Sequence, residues 1–320
     1  ENDRTTWEKA WGVEIPESKG LDLCQMVKCA EEGRLKALYI MGENPLRSLP
    51  QPKRLVSSFK SLELIVTQDI LFYETVNFAD VVLPAAAFAE KSGGFTNMVG
   101  NIQCFSPAVS PPGNAKSDLE ILGLLAEKLG SPGHKSSYQE IRKEISSVIT
   151  CYSDGVACKH PIWIREETQA DESLADDQIS FSPATFSKEL EGDDQFPYIA
   201  LFGSPRIHLG SGTRTERSAR INASDGQGEI EVSPADAEKM SLVDKDRIKV
   251  TSVAGEIERN IIINRDIEAG YIYIPTAFNA NDARNLLLLE PLLDSETKGW
   301  DSCTVAIEKT KTMTMEIGEA

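Results

Sequence analysis

At 320 residues, 41% hydrophobic and 26% charged, the chain is long enough for two separately cored domains and has the composition of a globular protein rather than a disordered or fibrous one. Its net charge of −17 excludes a general nucleic-acid binder, because a polyanion is repelled rather than steered in. No apolar run reaches the ~18 residues that a membrane-spanning helix needs, so no direct span is predicted.

The first residues, Glu1-Asn2-Asp3-Arg4, carry neither an initiator Met nor the basic start and apolar run of a secretory signal. The chain is therefore expected to be the remainder of a longer protein. Leu35 to Met41 is an apolar run ending at Gly42, which predicts a buried parallel strand. A helix follows over Pro52 to Phe59, then a second strand over Leu62 to Thr67, broken by the polar pair Gln68-Asp69. Glu74 to Phe78 has helical character, and Asp80 to Pro84 is a third strand stopped by proline. Strands alternating with helices in this way predict repeated βαβ units in a doubly wound, Rossmann-like sheet.

Ser117 is the predicted N-cap of an amphipathic helix whose Leu119, Leu122, Ala126 and Leu129 share a face before Gly130 ends it. A second helix is predicted over Ser136 to Ile149. The α/β domain is placed at 1–150 and an irregular, acidic linker at 151–195. From 196 to 320 the pattern becomes β-rich, with strands at Tyr198–Phe202, Glu229–Val232, Arg247–Ser252, Glu256–Ile261, Tyr271–Pro275 and Cys303–Ile307. Ser233-Pro234 opens a short helix with a capping hydroxyl and proline at the first helical position. These strands predict a barrel.

Six cysteines occur, Cys24, Cys29, Cys104, Cys151, Cys158 and Cys303, and none forms a C-x2-C pair. They read as dispersed reduced thiols, with no metal or iron–sulfur site built from them. Arg214-Thr215-Glu216-Arg217 is a local basic spot in an acidic chain.

Tyr39-Ile40-Met41-Gly42-Glu43-Asn44-Pro45, then Thr67-Gln68-Asp69, Ala79 to Pro84, Glu90 to Asn97 with Gln103, the loop Gly210 to Thr215, and Glu231 to Ala237 follow one another along the chain. In this order they resemble segments of the molybdopterin oxidoreductase family, and within it of the formate dehydrogenase catalytic subunit. The large iron–sulfur subunit of respiratory complex I is similar to the same family. The resemblance implies the C-terminal half of such an enzyme: part of the family's third, α/β domain, then a β-barrel molybdopterin dinucleotide-binding domain. It implies a molybdopterin guanine dinucleotide carrying molybdenum or tungsten, with any 4Fe-4S cluster in the N-terminal part or in a partner. The implied partners are that N-terminal catalytic portion or subunit and iron–sulfur electron-transfer subunits. A cytoplasmic location is expected, with peripheral attachment to a membrane complex as the variant.

On this resemblance the cofactor-binding candidates are Gly42, Asn44, Gln68, Asp69, Lys91, Asp118, Gly203, Ser204, His208, Ser211, Thr213 and Asn285, with no catalytic residue and no metal ligand of the chain's own. Gly42 and Gly203 follow strands, where a missing Cβ lets backbone amides approach phosphates. Asp69 and Asp118 suit the N1–H and N2 donors of a guanine or ribose hydroxyls, and Lys91 suits a phosphate. Small and hydroxyl residues from Ser204 to Thr213 can wrap a pyrophosphate, with His208 as a donor; Asn285 is a candidate by resemblance alone. The plainer readings stand beside these: Asp69 and Asp118 as caps of a turn and a helix, Lys91 as a surface lysine, the glycines as turn formers.

The sequence departs from the family at Val99-Gly100-Asn101, where an acidic residue and arginines are usual, and at Trp300-Asp301-Ser302, where Tyr-Lys is usual. Asp301 near an anionic cofactor would oppose it by like-charge repulsion. These departures keep a second reading open, a complex I-like subunit whose fold serves as a scaffold without the cofactor. A third is an unrelated nucleotide-binding module.

Overall fold

The computed structural model of the chain describes residues 2–98, 101–131, 137–149, 152, 162–163, 190–223, 228–290 and 300–310. Val99, Gly100, Cys151, Cys158 and most of the expected linker lie outside the described residues.

Helices α1 (Asn2–Trp11) and α2 (Leu23–Glu31) precede strand β1 (Ala37–Met41). The next elements are α3 (Pro45–Ser48), α4 (Pro52–Lys60), β2 (Leu64–Asp69), a 3-10 turn (Glu74–Phe78) and β3 (Val81–Pro84). The three strands form a parallel sheet in the order β1-β2-β3, so the described strands wind in one direction only. One face buries Ile40 and Ile65 against Phe59 of α4. β2 runs two residues beyond the predicted break and includes Gln68 and Asp69. The polar pair is tolerated because Gln68, fully buried, receives the Tyr39 hydroxyl and donates to Asp118 Oδ1 at 2.7 Å.

A hairpin of β4 (Gly93–Thr96) and β5 (Asn101–Phe105) follows. Helix α5 (Asp118–Lys128) starts as predicted: Ser117 Oγ accepts from Glu120 N and Glu120 reaches back to Ser117 N. Ser137 caps α6 (Tyr138–Val148) in the same way. Within the expected linker, the short strand β6 (Ile162–Trp163) pairs with β5.

The C-terminal half comprises β7 (Tyr198–Gly203), α7 (Ala219–Asn222), β8 (Ile230–Val232), α8 (Pro234–Lys239), β9 (Arg247–Thr251), β10 (Glu256–Ile263), β11 (Tyr271–Pro275), a 3-10 segment (Asn279–Leu286) and β12 (Ser302–Lys309). Its six strands close into a barrel in the order β10-β8-β11-β7-β12-β9. Alternation decides what fills it: Ile248, Val250, Ile257, Ile261, Ile272 and Ile274 are buried in the barrel core, while the residues between them along β9, β10 and β11 are, apart from Arg259, more exposed. Arg259 is the exception on β10. It points inward and is satisfied by Asp282 and by the carbonyls of Gly228 and Pro275 at 3.0 and 2.7 Å.

The cysteines depart from expectation at one point. Cys24, Cys29 and Cys303 are free thiols, but Cys104 is disulfide-bonded. Sequence spacing tests only local pairs, and strand β5 carries Cys104 away from its sequence neighbours. No helix among the described residues is long and apolar enough to cross a membrane.

Truncating a fully buried inward residue tests the barrel core. Ile272→Ala is expected to lower unfolding stability by about 3 kcal/mol in urea titration, the usual loss for an aliphatic side chain truncated where neighbours cannot collapse.

Candidate functional site

The carboxyl ends of parallel strands are where open α/β sheets leave room for a ligand. Here the ends of β1 and β2 lie beneath the loop that follows β7. One cavity of about 190 Å³ is lined by Asp69 at the end of β2, by Gly42, Asn44 and Tyr73 from the segments after β1 and β2, and by Ser211 and Thr213 from the loop. A second, of about 270 Å³, is lined by Gln68, Ala86, Phe88, Lys91, Phe95 and Asp118. Gly42, Asp69 and Arg214 line both, so the two form one cleft with Arg214 at the junction.

The local geometry follows from backbone requirements. Gly42 leaves β1 with φ of +67° and open space where a Cβ would be, but its own N–H is used by Gln68 O at 2.9 Å. Gly42 therefore serves the turn and the clearance. Gly212, with φ of +77°, is required by closeness, since a Cβ there would stand 2.6 Å from Ala277 O.

Asp69 is a turn cap as well as a cleft residue: its Oδ1 accepts from Ile70 N at 2.6 Å and Leu71 N at 3.3 Å, and its Oδ2 from the Tyr73 hydroxyl at 2.8 Å. Burial and that carboxylate push the Tyr73 phenol far above its ordinary range. Asp118 does not cap α5, since Ser117 does. Its Oδ2 pairs with Lys91, which is therefore not a free surface lysine, and its Oδ1 holds Gln68. Burial drives the Asp118 carboxyl up, yet the bonds from Lys91 and Gln68 outweigh it and hold the pKa below the ordinary value.

Asn44, buried, ties the halves together. Its Nδ2 donates to Glu74 Oε2 at 2.8 Å and Thr213 Oγ1 at 3.2 Å, and its Oδ1 accepts from Thr75 at 2.6 Å. Ser211 and Thr213 hydroxyls lie 2.9 Å apart. Eight of the twelve candidates thus share one cleft: Gly42, Asn44, Gln68, Asp69, Lys91, Asp118, Ser211 and Thr213. The other four line neither cavity. Gly203 packs under Tyr273, Ser204 Oγ lies 3.3 Å from Thr276 Oγ1, and Asn285 lies against Gly255. His208 is buried, its Nδ1 2.9 Å from Thr215 Oγ1, its ring edge-on to Phe278, and its Nε2 without a partner among the described residues.

Three comparisons with known proteins bear on this arrangement. The family model described as Molybdopterin oxidoreductase matches residues 6–128, and that described as Molydopterin dinucleotide binding domain matches residues 199–303. The chain belongs to the molybdopterin oxidoreductase family. It is 34% identical over 325 residues to an F420-dependent formate dehydrogenase subunit alpha of Methanocaldococcus jannaschii, covering 95% of this chain and 47% of that protein. It is 30% identical over 288 residues to one subunit of an NADH-quinone oxidoreductase of Rhizobium meliloti, covering 90% of this chain and 33% of that one. Among solved structures, the acetylene hydratase from Pelobacter acetylenicus shares the fold with a TM-score of 0.66 at 14% identity, over 96% of this chain and 49% of that one. The chain thus spans half or less of the length of these relatives.

In this family member, one cleft residue, Arg214, and two residues that bond to cleft residues, Tyr39 and Arg47, escaped the sequence reading as site candidates. Arg214 showed only as a basic spot; it is exposed, lines both cavities, and makes no side-chain bond among the described residues. Tyr39 and Arg47 gave no local signal, because their partners lie far along the chain. The departure at Asp301 has a local counterpart in Arg284, whose pKa burial lowers and Asp301 opposes. Asp301 lines neither cavity, so its charge acts on that guanidinium rather than on the cleft. Of the other departure, Val99 and Gly100 fall outside the described residues.

Lys91→Met is expected to raise the Asp118 carboxyl pKa, because burial then acts with less opposition; a carbonyl-carbon NMR titration reads it. The sign for stability follows. A depressed folded pKa contributes stability that is full above the unfolded value of ~3.9 and is lost as pH falls through the folded one, so the variant, with the depression reduced, is less stable than the parent at neutral pH and the gap closes as pH falls through that window.

Proposed function

We propose that this chain is the C-terminal, cofactor-holding portion of a molybdopterin guanine dinucleotide-dependent oxidoreductase most like formate dehydrogenase. The observation that carries the proposal is Arg214: a cation without a partner among the described residues, set at the junction of two cavities in a chain of net charge −17. Such a group suits the pyrophosphate of a dinucleotide, with Lys91 close by in the same cleft. Asp69 and Asp118 are each bonded internally, but Asp69 Oδ2 and both Asp118 oxygens keep a second lone pair for guanine or ribose donors. The donor set therefore fits the nucleotide end of the cofactor, with Gly42, Asn44, Gln68, Ser211 and Thr213 shaping the walls. Gly203, Ser204, His208 and Asn285 support the loop and its backing segment from behind.

When bound, the cofactor would supply a molybdenum or tungsten centre for two-electron transfer. The residues of this chain would bind and orient it and tune its field, the usual division of labour. The chemistry and any 4Fe-4S cluster would belong to the N-terminal portion or to iron–sulfur partner subunits, in a cytoplasmic assembly. We assign the α/β domain, the last strands of a doubly wound sheet, to 1–150, the linker to 151–195 and the barrel domain to 196–320.

One observation favours the second reading, a complex I-like scaffold without the cofactor. Asp69, Lys91 and Asp118 all have internal partners, so these three charges are balanced without a ligand. Metal analysis and acid release of guanine from the natively purified protein separate the two. The cofactor reading expects both metal and guanine, and Arg214→Glu should reduce guanine content roughly tenfold or more, as the loss of a charge-assisted bond of ~1.5–3 kcal/mol demands. Absence of molybdenum, tungsten and guanine from the native protein would leave the scaffold.

A further inference from the structure

Parallel sheets are stable when both faces are covered, because βαβ crossovers place helices on each side. Here one face buries Ile40 and Ile65 against Phe59 of α4, while on the other Tyr39, Met41, Leu64 and Val81 are exposed among the described residues. On the second face the parallel register aligns Tyr39, Val66 and Val81 in one row, with Leu64 before it and Met41, Gln68 and Leu83 after it. Tyr39, Leu64 and Val81 are 37%, 40% and 42% exposed. The bare face continues sideways into an apolar groove of about 340 Å³ between β3 and α5, lined by Leu83, Pro84, Leu124 and Leu125 together with Lys116 and Lys128. At its other end it runs into the candidate cleft, whose wall includes Met41 and Gln68 and whose rim carries the exposed Phe88 and Phe95.

We infer, on the reading of this chain as one portion of a larger oxidoreductase, that this face is the seat of the polypeptide making up the half of the relatives that the chain does not match. The occupant is an amphipathic helix of that polypeptide, apolar toward Leu64, Tyr39, Val81 and Leu124, with acidic residues on the flank that meets Lys116 and Lys128. Three observations favour it over a second copy of this chain. The formate dehydrogenase relative has a body of comparable size beyond the 47% matched here. The exposed row is what a parallel sheet leaves bare when a covering helix is missing. The face is continuous with the cleft, so its occupant would wall off the open side and strengthen every charge interaction inside by excluding water.

The test places the photo-crosslinker p-benzoylphenylalanine at Leu64, at Leu124 and, as control, at the exposed barrel-hairpin residue Val253, in the native, full-length assembly. Crosslinks are mapped by mass spectrometry, and guanine content is measured on the same samples. The expected result is crosslinks from Leu64 and Leu124, but not Val253, to peptides of the region that aligns with the unmatched half of the relatives, in cis or in a partner subunit. The double variant Leu64→Glu, Leu124→Glu should keep the thermal transition of the isolated chain, since both positions are exposed in it. It should weaken capture of that region roughly tenfold or more, because seating the helix would bury two unpaired charges. Crosslinks only to a second copy, or to residues 153–189 of this chain, or equal yields at all three positions, would overturn the inference. Crosslinks to the expected region without guanine would uphold the surface and sink the cofactor reading; guanine without such crosslinks would do the reverse.

Discussion

Arg47 carries a full charge on a side chain only 6% exposed, and a guanidinium so buried is tolerated only if its donors are met. They are met almost entirely by the other half of the molecule. Nε donates to Ser211 O at 2.9 Å, Nη2 reaches Glu216 and, at 3.4 Å, Ala277 O, while Glu74 stands 3.7 Å from Nη1. The main chain answers in kind, since Arg47 O accepts from Asn281 Nδ2 at 2.6 Å. Leaving such a cation unpaired would cost several kcal/mol, so the loop after β7 cannot drift from α3 without a penalty that local bonds do not repay. The placement of Ser211, Thr213 and Arg214 over Gly42 and Asn44 is a consequence of that constraint.

The constraint works because its anchor is rigid. Ala277, Asn279, Ala280 and Asn281 all have positive φ, and none is glycine. Conformations of this kind persist only when the surroundings over-determine them. Asn281 does so from within, its Oδ1 accepting from Ala277 N at 3.1 Å, and Arg259 does so from below through Asp282. Burial raises the Asp282 carboxyl pKa against the pull of Arg259. The inward charge of β10 thus belongs to the same chain of support as the buried charge of α3, and both end at the cleft.

The pieces legible in the sequence were those decided by local patterning. The run into Gly42 marked β1, Ser117 and Ser233 marked helix starts, and alternation from Arg247 to Ile261 marked barrel strands. What was not legible was decided by partners far along the chain. Gln68 and Asp69 read as a strand break because their bonding groups, Tyr39 and Asp118, lie 29 and 50 residues from Gln68. Arg47 was silent because Ser211 and Ala277 lie 164 and 230 residues on. Arg259 sat in a correctly placed strand, but a charge at an inward position has no signature until the carbonyls that receive it are in place. The pairing order and closure of the barrel, two of whose contacts are parallel, are likewise properties of the assembled sheet.

A chain of net charge −17 can still present an uncommitted cation to a ligand, and the cleft shows how. Three carboxylates line it, Glu43, Asp69 and Asp118, against two cations, Lys91 and Arg214. A bare count would make the cleft repulsive to phosphate. The bonding says otherwise. Asp118 is spent on Lys91 and Gln68, Asp69 on two backbone amides and a phenol, and Glu43 on Asn44 N at 2.9 Å. Charges elsewhere on the surface are screened over ~8–10 Å at moderate salt. What a ligand at the junction meets first is therefore the uncommitted guanidinium of Arg214, held in place by a loop that Arg47 fixes from below.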